Sequence, residues 1–197
     1  MTTANKITIL RILLVPFFIV QLVYYVERGN EWNRLLAILS FAIAAMSDAL
    51  DGYIARKYNQ HTELGAVLDP LADKLLLVSG MVLLSLDHRP LLGQLPIWLV
   101  ATVFSRDLLL VLGMGIIYYA CGKVTVRPRF IGKIATVLQM IAVLWTLLKW
   151  NEGSGVMLWQ GWVLGAALGT GISGLLYIQD GVRQLNASPS STPKPRP

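Results

Sequence analysis

The chain has 197 residues, of which 55% are hydrophobic and only 14% are charged, and its mean hydropathy is +0.58. This composition excludes a soluble enzyme and indicates an integral membrane protein of one domain. The net charge of +6 would suit nucleic-acid binding, but the basic residues stand in short segments between apolar runs and form no domain that could dock a duplex.

Six apolar runs follow one another along the chain, each close to the ~20 residues that a transmembrane helix needs. A bilayer interior offers no hydrogen-bond partners, so each run must satisfy its own backbone groups as a helix. The sequence therefore predicts an all-α protein, an integral membrane bundle of six transmembrane helices. The predicted spans are 7–26, 35–54, 64–86, 96–121, 131–150 and 156–178.

We expect a single membrane domain over residues 1–185, followed by a disordered cytoplasmic tail over 186–197, which is too polar and proline-rich to pack. Most lysines and arginines outside the spans fall on the side of both termini. By the positive-inside rule, both termini face the cytoplasm from the inner (cytoplasmic) membrane. Tryptophans typical of an interfacial belt stand near the opposite ends of the spans, namely Trp32, Trp98, Trp150, Trp159 and Trp162.

The first span begins with a polar stripe, because Asn5, Thr8 and Arg11 recur at i, i+3 and i+6. Taken alone, this stripe is typical of a topogenic anchor at the membrane surface.

Four carboxylates stand inside the second and third predicted spans, where charge is normally excluded. Asp48 and Asp51 lie at i and i+3, and Asp69 and Asp73 at i and i+4, so each pair shares a helix face. If the two helices are neighbours, all four acids can point into one crevice.

Such a crevice needs neutralising charge, because each like-charge pair at about 4 Å costs ~4 kcal/mol at an effective dielectric of 20. Raised pKa values of the aspartates could reduce their negative charge, and Arg56 and Lys74 could balance it. Hard divalent cations could also supply the positive charge, and they prefer carboxylate oxygen as a ligand. A paired-metal site suits phosphate chemistry, since it clamps both attacking and leaving oxygens. A proton or cation pathway through the membrane is the alternative interpretation.

The full pattern, D-x2-D-G-x2-A-R-x8-G-x3-D-x3-D, resembles the signature of the CDP-alcohol phosphatidyltransferases. Members of that family move a phosphatidyl or similar group from a CDP-linked donor onto an alcohol and release CMP. The resemblance implies that the four aspartates hold two Mg2+ or Mn2+ ions and that Asp73 is also the general base. It further implies a CDP pocket lined by Gly52, Ala55, Arg56 and Gly65.

The resemblance also assigns the stripe of Asn5, Thr8 and Arg11 to the donor's diphosphate. Without the resemblance, Gly52 and Ala55 would be interpreted as small residues at a contact between helices, and Arg56 as a basic residue that ends a span on the cytoplasmic side.

The fourth and fifth spans add two basic residues. Arg106 lies inside the fourth span, where an arginine needs a cavity or a partner, and we do not expect Asp107 to be that partner because neighbours i and i+1 diverge on a helix. Lys133 enters the fifth span from the cytoplasm, where a positive-inside anchor would explain it equally well. Together the two residues predict a pocket for an anionic acceptor, not for choline or ethanolamine.

The tracts S-R-D at 105–107 and G-K-x2-T-x2-Q at 132–139 are similar to those of family members that use glycerol 3-phosphate. The expected reaction is transfer of the phosphatidyl group of CDP-diacylglycerol to glycerol 3-phosphate. Because S-R-D replaces the more usual S-R-E, phosphatidylglycerol, the acceptor in cardiolipin synthesis, is the alternative, and an ion or proton transporter is the alternative of another class. The sequence gives no oligomeric state, whereas the resemblance points to a homodimer. Membrane lipids are the other expected partners.

Overall fold

The structure is a computed structural model that describes the backbone of residues 3–58, 63–88, 90–121, 130–150 and 155–186, and the side chains of 7–47, 71–88, 90–119, 130–150 and 155–184. Within these ranges the regular secondary structure is helical and no strand is present, which confirms the all-α prediction. The helices are α1 (Thr3–Arg28), α2 (Glu31–Tyr58), α3 (Glu63–Ser85), α4 (Ile97–Cys121), α5 (Phe130–Leu147) and α6 (Val156–Asn186).

Within the residues that the structure describes, four helices are long and apolar enough to cross a bilayer, which indicates a membrane protein. Their apolar stretches are Ile7–Arg28 in α1, Ile97–Tyr119 in α4, Phe130–Leu147 in α5 and Val156–Gln184 in α6. Helices α2 and α3 do not meet this criterion within the described residues, and of the four motif aspartates that they carry, the side chain of Asp73 alone is described. The structure thus supports four of the six predicted spans. The predicted tail beyond residue 186 lies outside the described residues.

The link between α1 and α2 is as short as a helical hairpin allows. Gly29 adopts a φ of 67°, a conformation that costs glycine little, and its N–H donates to the Tyr25 carbonyl at 2.8 Å to end α1. Asn30 then caps α2, because its Oδ1 accepts the N–H of Trp32 at 3.0 Å. The sequence Gly-Asn therefore both stops one helix and starts the next.

The chain divides into two compact units, and α5 and α6 contribute to both. The first unit contains Met1–Pro96 and Gln139–Gln160, and the second contains Ile97–Leu138 and Gly161–Pro197.

In the first unit, α1 packs against both α2 and α3. Fully buried rings of Phe18 and Phe41 meet with centroids 5.4 Å apart. On α3, a Cβ added to Gly80 would lie 3.0 Å from Val143 Cγ1 and 3.3 Å from Phe41 Cε2. Glycine at position 80 therefore lets α2, α3 and the second half of α5 approach closely, as small residues do in membrane helices.

Helix α5 ends at Leu147, earlier than predicted, because Lys149 turns into the left-handed region with a φ of 59°. The Lys149 N–H donates to the Thr146 carbonyl at 3.1 Å and the Trp150 N–H to the Trp145 carbonyl at 3.3 Å. These two bonds form a Schellman motif, and the rings of Trp145 and Trp150 meet edge to face with centroids 6.5 Å apart.

The Lys149 side chain reaches the α1–α2 hairpin, where its Nζ lies 3.2 Å from Glu31 Oε1 and 5.5 Å from the centre of the Tyr25 ring. The Tyr25 hydroxyl and the Glu31 carboxylate raise the pKa of Lys149 despite its partial burial. Slight burial alone would raise the pKa of Glu31, but Lys149 and Arg34 lower it overall. This cluster joins the end of α5 to the start of α2.

In the second unit, α5 and α6 run antiparallel. The Trp162 Nε1–H donates to the Leu138 carbonyl at 3.1 Å, and farther along, a Cβ on Gly169 would lie 3.6 Å from Ala135 Cβ. Helix α4 lies beside α6, where a Cβ on Gly181 would approach Ile117 Cδ1 at 3.3 Å.

Of the tryptophans predicted to form an interfacial belt, Trp32, Trp98 and Trp150 are exposed, whereas Trp159 is buried. Trp162, the fifth, is bonded to α5 as described above.

Candidate functional site

The carboxylate motif lies on helical backbone, as its spacing predicts. Asp48 and Asp51 lie on α2, and Asp69 and Asp73 lie on α3. Only the side chain of Asp73 is described, so convergence of all four acids stays a prediction. The side chains of Gly52, Ala55, Arg56 and Gly65, predicted to line the CDP pocket, also lie outside the described residues.

Asp73 meets Arg11 across two helices. The Arg11 Nη1–H donates to Asp73 Oδ1 at 2.6 Å, and the Arg11 side chain is fully buried while that of Asp73 is 32% exposed. A charge-assisted bond of this length is among the strong contacts of a protein interior. The sequence proposed Arg56 and Lys74 as neutralising cations, whereas the structure brings this cation to Asp73 from the first helix.

The polar stripe of α1 faces the interior of its unit. Thr8 is buried with Arg11 one turn later, in accord with the predicted i, i+3 spacing. An interfacial anchor would keep its charge in water, so full burial of Arg11 favours the site interpretation over the topogenic one. The side chain of Asn5 lies outside the described residues.

Arg106 is paired with its neighbour, and the expectation that Asp107 would not be its partner is wrong. Arg106 Nη1–H donates to Asp107 Oδ1 at 2.9 Å, and the two side chains are 15% and 19% exposed. Their Cα–Cβ bonds diverge, but the long arginine side chain lets the guanidinium fold back to the carboxylate. The cost of an uncompensated charge inside a span gives this pairing its driving force.

Arg106 also contacts α6 and α5. Its Nη2–H donates to Ser173 Oγ at 3.2 Å, and the guanidinium lies 5.8 Å from the centre of the Tyr177 ring. A Cβ on Gly132 would lie 3.0 Å from Arg106 Nη2, which places the start of α5 against the guanidinium. Lys133, the next residue, is exposed, a position that suits either an acceptor-binding cation or a membrane-surface anchor.

Sequence reasoning did not single out Ser173 or Tyr177. A usable signal was present, because Thr170, Ser173 and Tyr177 recur at i, i+3 and i+7 in an otherwise apolar stretch of α6 and so share one face. The same spacing argument identified the stripe on α1.

The donor set predicted for metal ions is chemically suitable, since carboxylate oxygens are the ligands that Mg2+ and Mn2+ prefer. Asp73 is the one predicted ligand whose side chain is described, and its partial exposure is compatible with ligation. Among the described side chains alone, no group of three or more His, Cys, Asp or Glu residues could hold a metal ion.

Comparisons with known proteins identify relatives over most of the chain. A family model for the CDP-alcohol phosphatidyltransferases matches residues 1–171. Three curated relatives, from Escherichia coli (strain K12), Shigella sonnei (strain Ss046) and Salmonella typhimurium (strain LT2), are each named CDP-diacylglycerol--glycerol-3-phosphate 3-phosphatidyltransferase. Each is 35% identical over 155 residues, which cover 77% of this chain and 81% of the relative.

Proposed function

Because the chain belongs to the CDP-alcohol phosphatidyltransferase family, we propose that it transfers the phosphatidyl group of CDP-diacylglycerol to glycerol 3-phosphate and releases CMP. The names of its relatives support both substrates. The structural observation that carries the proposal is the 2.6 Å contact between Arg11 and Asp73, which joins the N-terminal polar stripe to the carboxylate motif.

The residues that would hold two Mg2+ or Mn2+ ions are Asp48, Asp51, Asp69 and Asp73. When bound, such ions neutralise the charge of the donor's diphosphate and stabilise both the attacking and the leaving oxygen. Arg11, Asn5 and Thr8 would lie beside the same diphosphate, with Gly52, Ala55, Arg56 and Gly65 around the cytidine.

Asp73 is the general base in this proposal. Its carboxylate takes the proton of the sn-1 hydroxyl of glycerol 3-phosphate, whose oxygen then attacks the β-phosphorus of the donor. The bond from that phosphorus to the CMP oxygen breaks, and CMP leaves. Arg11 holds Oδ1 of Asp73 at a defined position, so the carboxylate is oriented before the acceptor arrives.

Arg106 and Lys133 would bind the phosphate of the acceptor. Arg106 donates one N–H group to Asp107 and one to Ser173. Its buried Nε has no hydrogen-bond partner among the described residues. The guanidinium thus retains donors for an anion. Because Asp107 already balances the charge of Arg106, the net positive charge would come from Lys133, which suits a small dianion that can approach both.

The membrane placement follows from the same proposal. All six helices would span the inner membrane, with both termini and the site at the cytoplasmic face. CDP-diacylglycerol would enter sideways from the inner leaflet and keep its acyl chains in lipid. The homodimer that the family resemblance implies stays a prediction.

The acceptor is tested by supplying purified protein with CDP-diacylglycerol and one acceptor at a time while CMP release is measured. We expect release with glycerol 3-phosphate and no added phosphatidylglycerol. Release that requires phosphatidylglycerol would favour the cardiolipin-forming reaction. Release with neither would contradict the assignment of both acceptors.

The metal requirement is tested in the same assay with Asp51→Asn and Asp69→Asn. Each variant should lose CMP release by at least about tenfold, because each removes a charged ligand without cutting a helix. Exhaustive chelation should do the same, and added Mg2+ or Mn2+ should restore activity. Glu27→Gln is the matched control, because it removes an exposed carboxylate at the C-terminal end of α1, far along the helix from Arg11. Full activity after chelation would contradict a metal-dependent mechanism.

A further inference from the structure

Helices α4, α5 and α6 of the second unit all approach the guanidinium of Arg106. It bonds to Asp107 at 2.9 Å on α4 and to Ser173 at 3.2 Å on α6, and it faces the Tyr177 ring at 5.8 Å. Asp107 accounts for the charge of Arg106. The contacts on α6 add no charge, but they accept one N–H group of the guanidinium and so restrict its direction.

Ser173 uses its hydroxyl differently from other buried hydroxyls of this chain. Thr146 and Thr170, which are also fully buried, donate to the carbonyl one turn earlier, at 2.9 Å to Ala142 and 2.6 Å to Ala166. That bond is the ordinary way for a helix to satisfy a buried hydroxyl. Ser173 Oγ instead accepts a hydrogen bond from another helix, one turn beyond Thr170.

Two glycines, Gly132 and Gly174, line the space that the Arg106 side chain occupies. A Cβ on Gly132 would lie 3.0 Å from Arg106 Nη2 and 3.2 Å from Ser173 Oγ, and a Cβ on Gly174 would lie 3.3 Å from Arg106 Cγ. The side chain therefore occupies a narrow slot that a methyl group at either position would narrow further. Within that slot, Asp107 and Ser173 each accept one N–H group, and the guanidinium lies over the Tyr177 ring.

We propose that Ser173 and Tyr177 are positioning residues that hold the Arg106 guanidinium in the orientation that binds the phosphomonoester of the acceptor. This inference rests on the acceptor role proposed for Arg106. Both residues follow residue 171, the last one matched by the family model, so the match itself says nothing about them. Neither needs to touch the substrate, because each acts through Arg106.

The first experiment compares Ser173→Ala with Thr170→Val in the purified full-length protein. Each removes one fully buried hydroxyl from α6, where Ser173 accepts from Arg106 and Thr170 donates to the Ala166 carbonyl one turn earlier. Ser173→Ala should raise the KM for glycerol 3-phosphate about fivefold, with kcat and the KM for CDP-diacylglycerol within about twofold of wild type. Thr170→Val should leave all three constants near wild type. Equal effects of the two variants would overturn the inference.

The second experiment separates the ring of Tyr177 from its hydroxyl. Tyr177→Phe keeps an aromatic face under the guanidinium and should change the acceptor KM by less than about twofold, whereas Tyr177→Leu should raise it about threefold or more. An acceptor KM that is the same in both variants would contradict the positioning role of the ring.

A double-mutant cycle distinguishes this inference from the acceptor assignment on which it rests. If Ser173 acts through Arg106, then Ser173→Ala should add no further increase in acceptor KM once Arg106→Gln is present. An additive increase would overturn the positioning role. If Arg106→Gln by itself leaves the acceptor KM unchanged, the acceptor assignment of Arg106 fails instead. Thermal unfolding of each variant in detergent shows which proteins are folded, and if Ser173→Ala is not, the comparison of Tyr177→Phe with Tyr177→Leu still tests the inference.

Discussion

At the scale of single residues, the contact between Arg11 and Asp73 is asymmetric. The Arg11 side chain has no exposed surface, whereas Asp73 retains 32% exposure. Removing the carboxylate would take an anion away from a fully buried cation, while removing the guanidinium would leave a carboxylate that water can still reach. Since a fully buried charge that loses a carboxylate partner is the costly outcome, the two deletions should differ in their effect on stability.

We therefore expect Asp73→Ala to lower the free energy of unfolding by about 3–5 kcal/mol, and Arg11→Met to lower it by less. Thermal or denaturant unfolding in detergent measures both. The double variant Arg11→Met/Asp73→Leu should recover much of the lost stability, because it removes both charges, and yet release no CMP. Greater destabilisation by Arg11→Met than by Asp73→Ala would contradict the asymmetry.

At the scale of helices, the end of α5 combines backbone strain with an ion pair. Lys149 has the positive φ of 59° that a Schellman motif usually assigns to glycine, and its side chain pairs with Glu31 at 3.2 Å. Glycine would relieve the backbone strain but would lose the pair. Lysine at this position therefore carries backbone strain, but its side chain makes an ion pair that links α5 to the α1–α2 hairpin.

Two substitutions separate these effects. Lys149→Ala and Lys149→Gly both delete the ion pair, but glycine alone also relieves the left-handed conformation, so Lys149→Gly should be the more stable variant by about 1 kcal/mol. Unfolding followed by tryptophan fluorescence is a suitable measurement, since Trp145 and Trp150 flank the motif. Equal stability of the two variants would mean that the φ of Lys149 carries no strain.

The stabilities of the Lys149 variants should be compared with wild type near neutral pH, where the Lys149–Glu31 ion pair is formed. The pKa of Glu31 is lowered from its ordinary value of 4.5, so its contribution is present above that value and is lost as the pH falls through the lowered pKa. The pKa of Lys149 is raised from 10.5, so its contribution is present below that value and is lost as the pH rises through the raised pKa. Both contributions are small, because the Glu31 carboxylate is largely exposed to solvent.

At the scale of the whole molecule, the orientation in the membrane can be tested with the chain's single cysteine. Cys121 is the last residue of α4, which places it on the cytoplasmic side if both termini are cytoplasmic. A membrane-impermeant maleimide should therefore label it in inside-out vesicles and not in intact spheroplasts. A Cys121→Ser/Glu27→Cys variant, with its thiol at the opposite end of α1, should show the reverse pattern. Labelling of Cys121 from outside would invert the proposed topology.

The sequence by itself determined the features that depend on local order along the chain. Apolar runs of membrane-spanning length determined the helices, since a bilayer leaves a backbone few alternatives. The spacing of Asp48, Asp51, Asp69 and Asp73 was enough to predict a paired-metal site suited to phosphate chemistry, because helical periodicity fixes which side chains share a face. The family itself was indicated by the resemblance of the full motif to a known signature.

Only the tertiary structure decided which faces meet. The partner of Arg11 is Asp73, 62 residues away, and periodicity along one helix carries no information about a neighbour on another. Arg106 pairs with Asp107 because a long side chain can fold back where helix geometry alone forbids contact. Ser173 likewise gains its role from packing, since the sequence shows only one more hydroxyl in an apolar stretch, whereas in the fold this hydroxyl accepts a hydrogen bond from the Arg106 guanidinium on another helix.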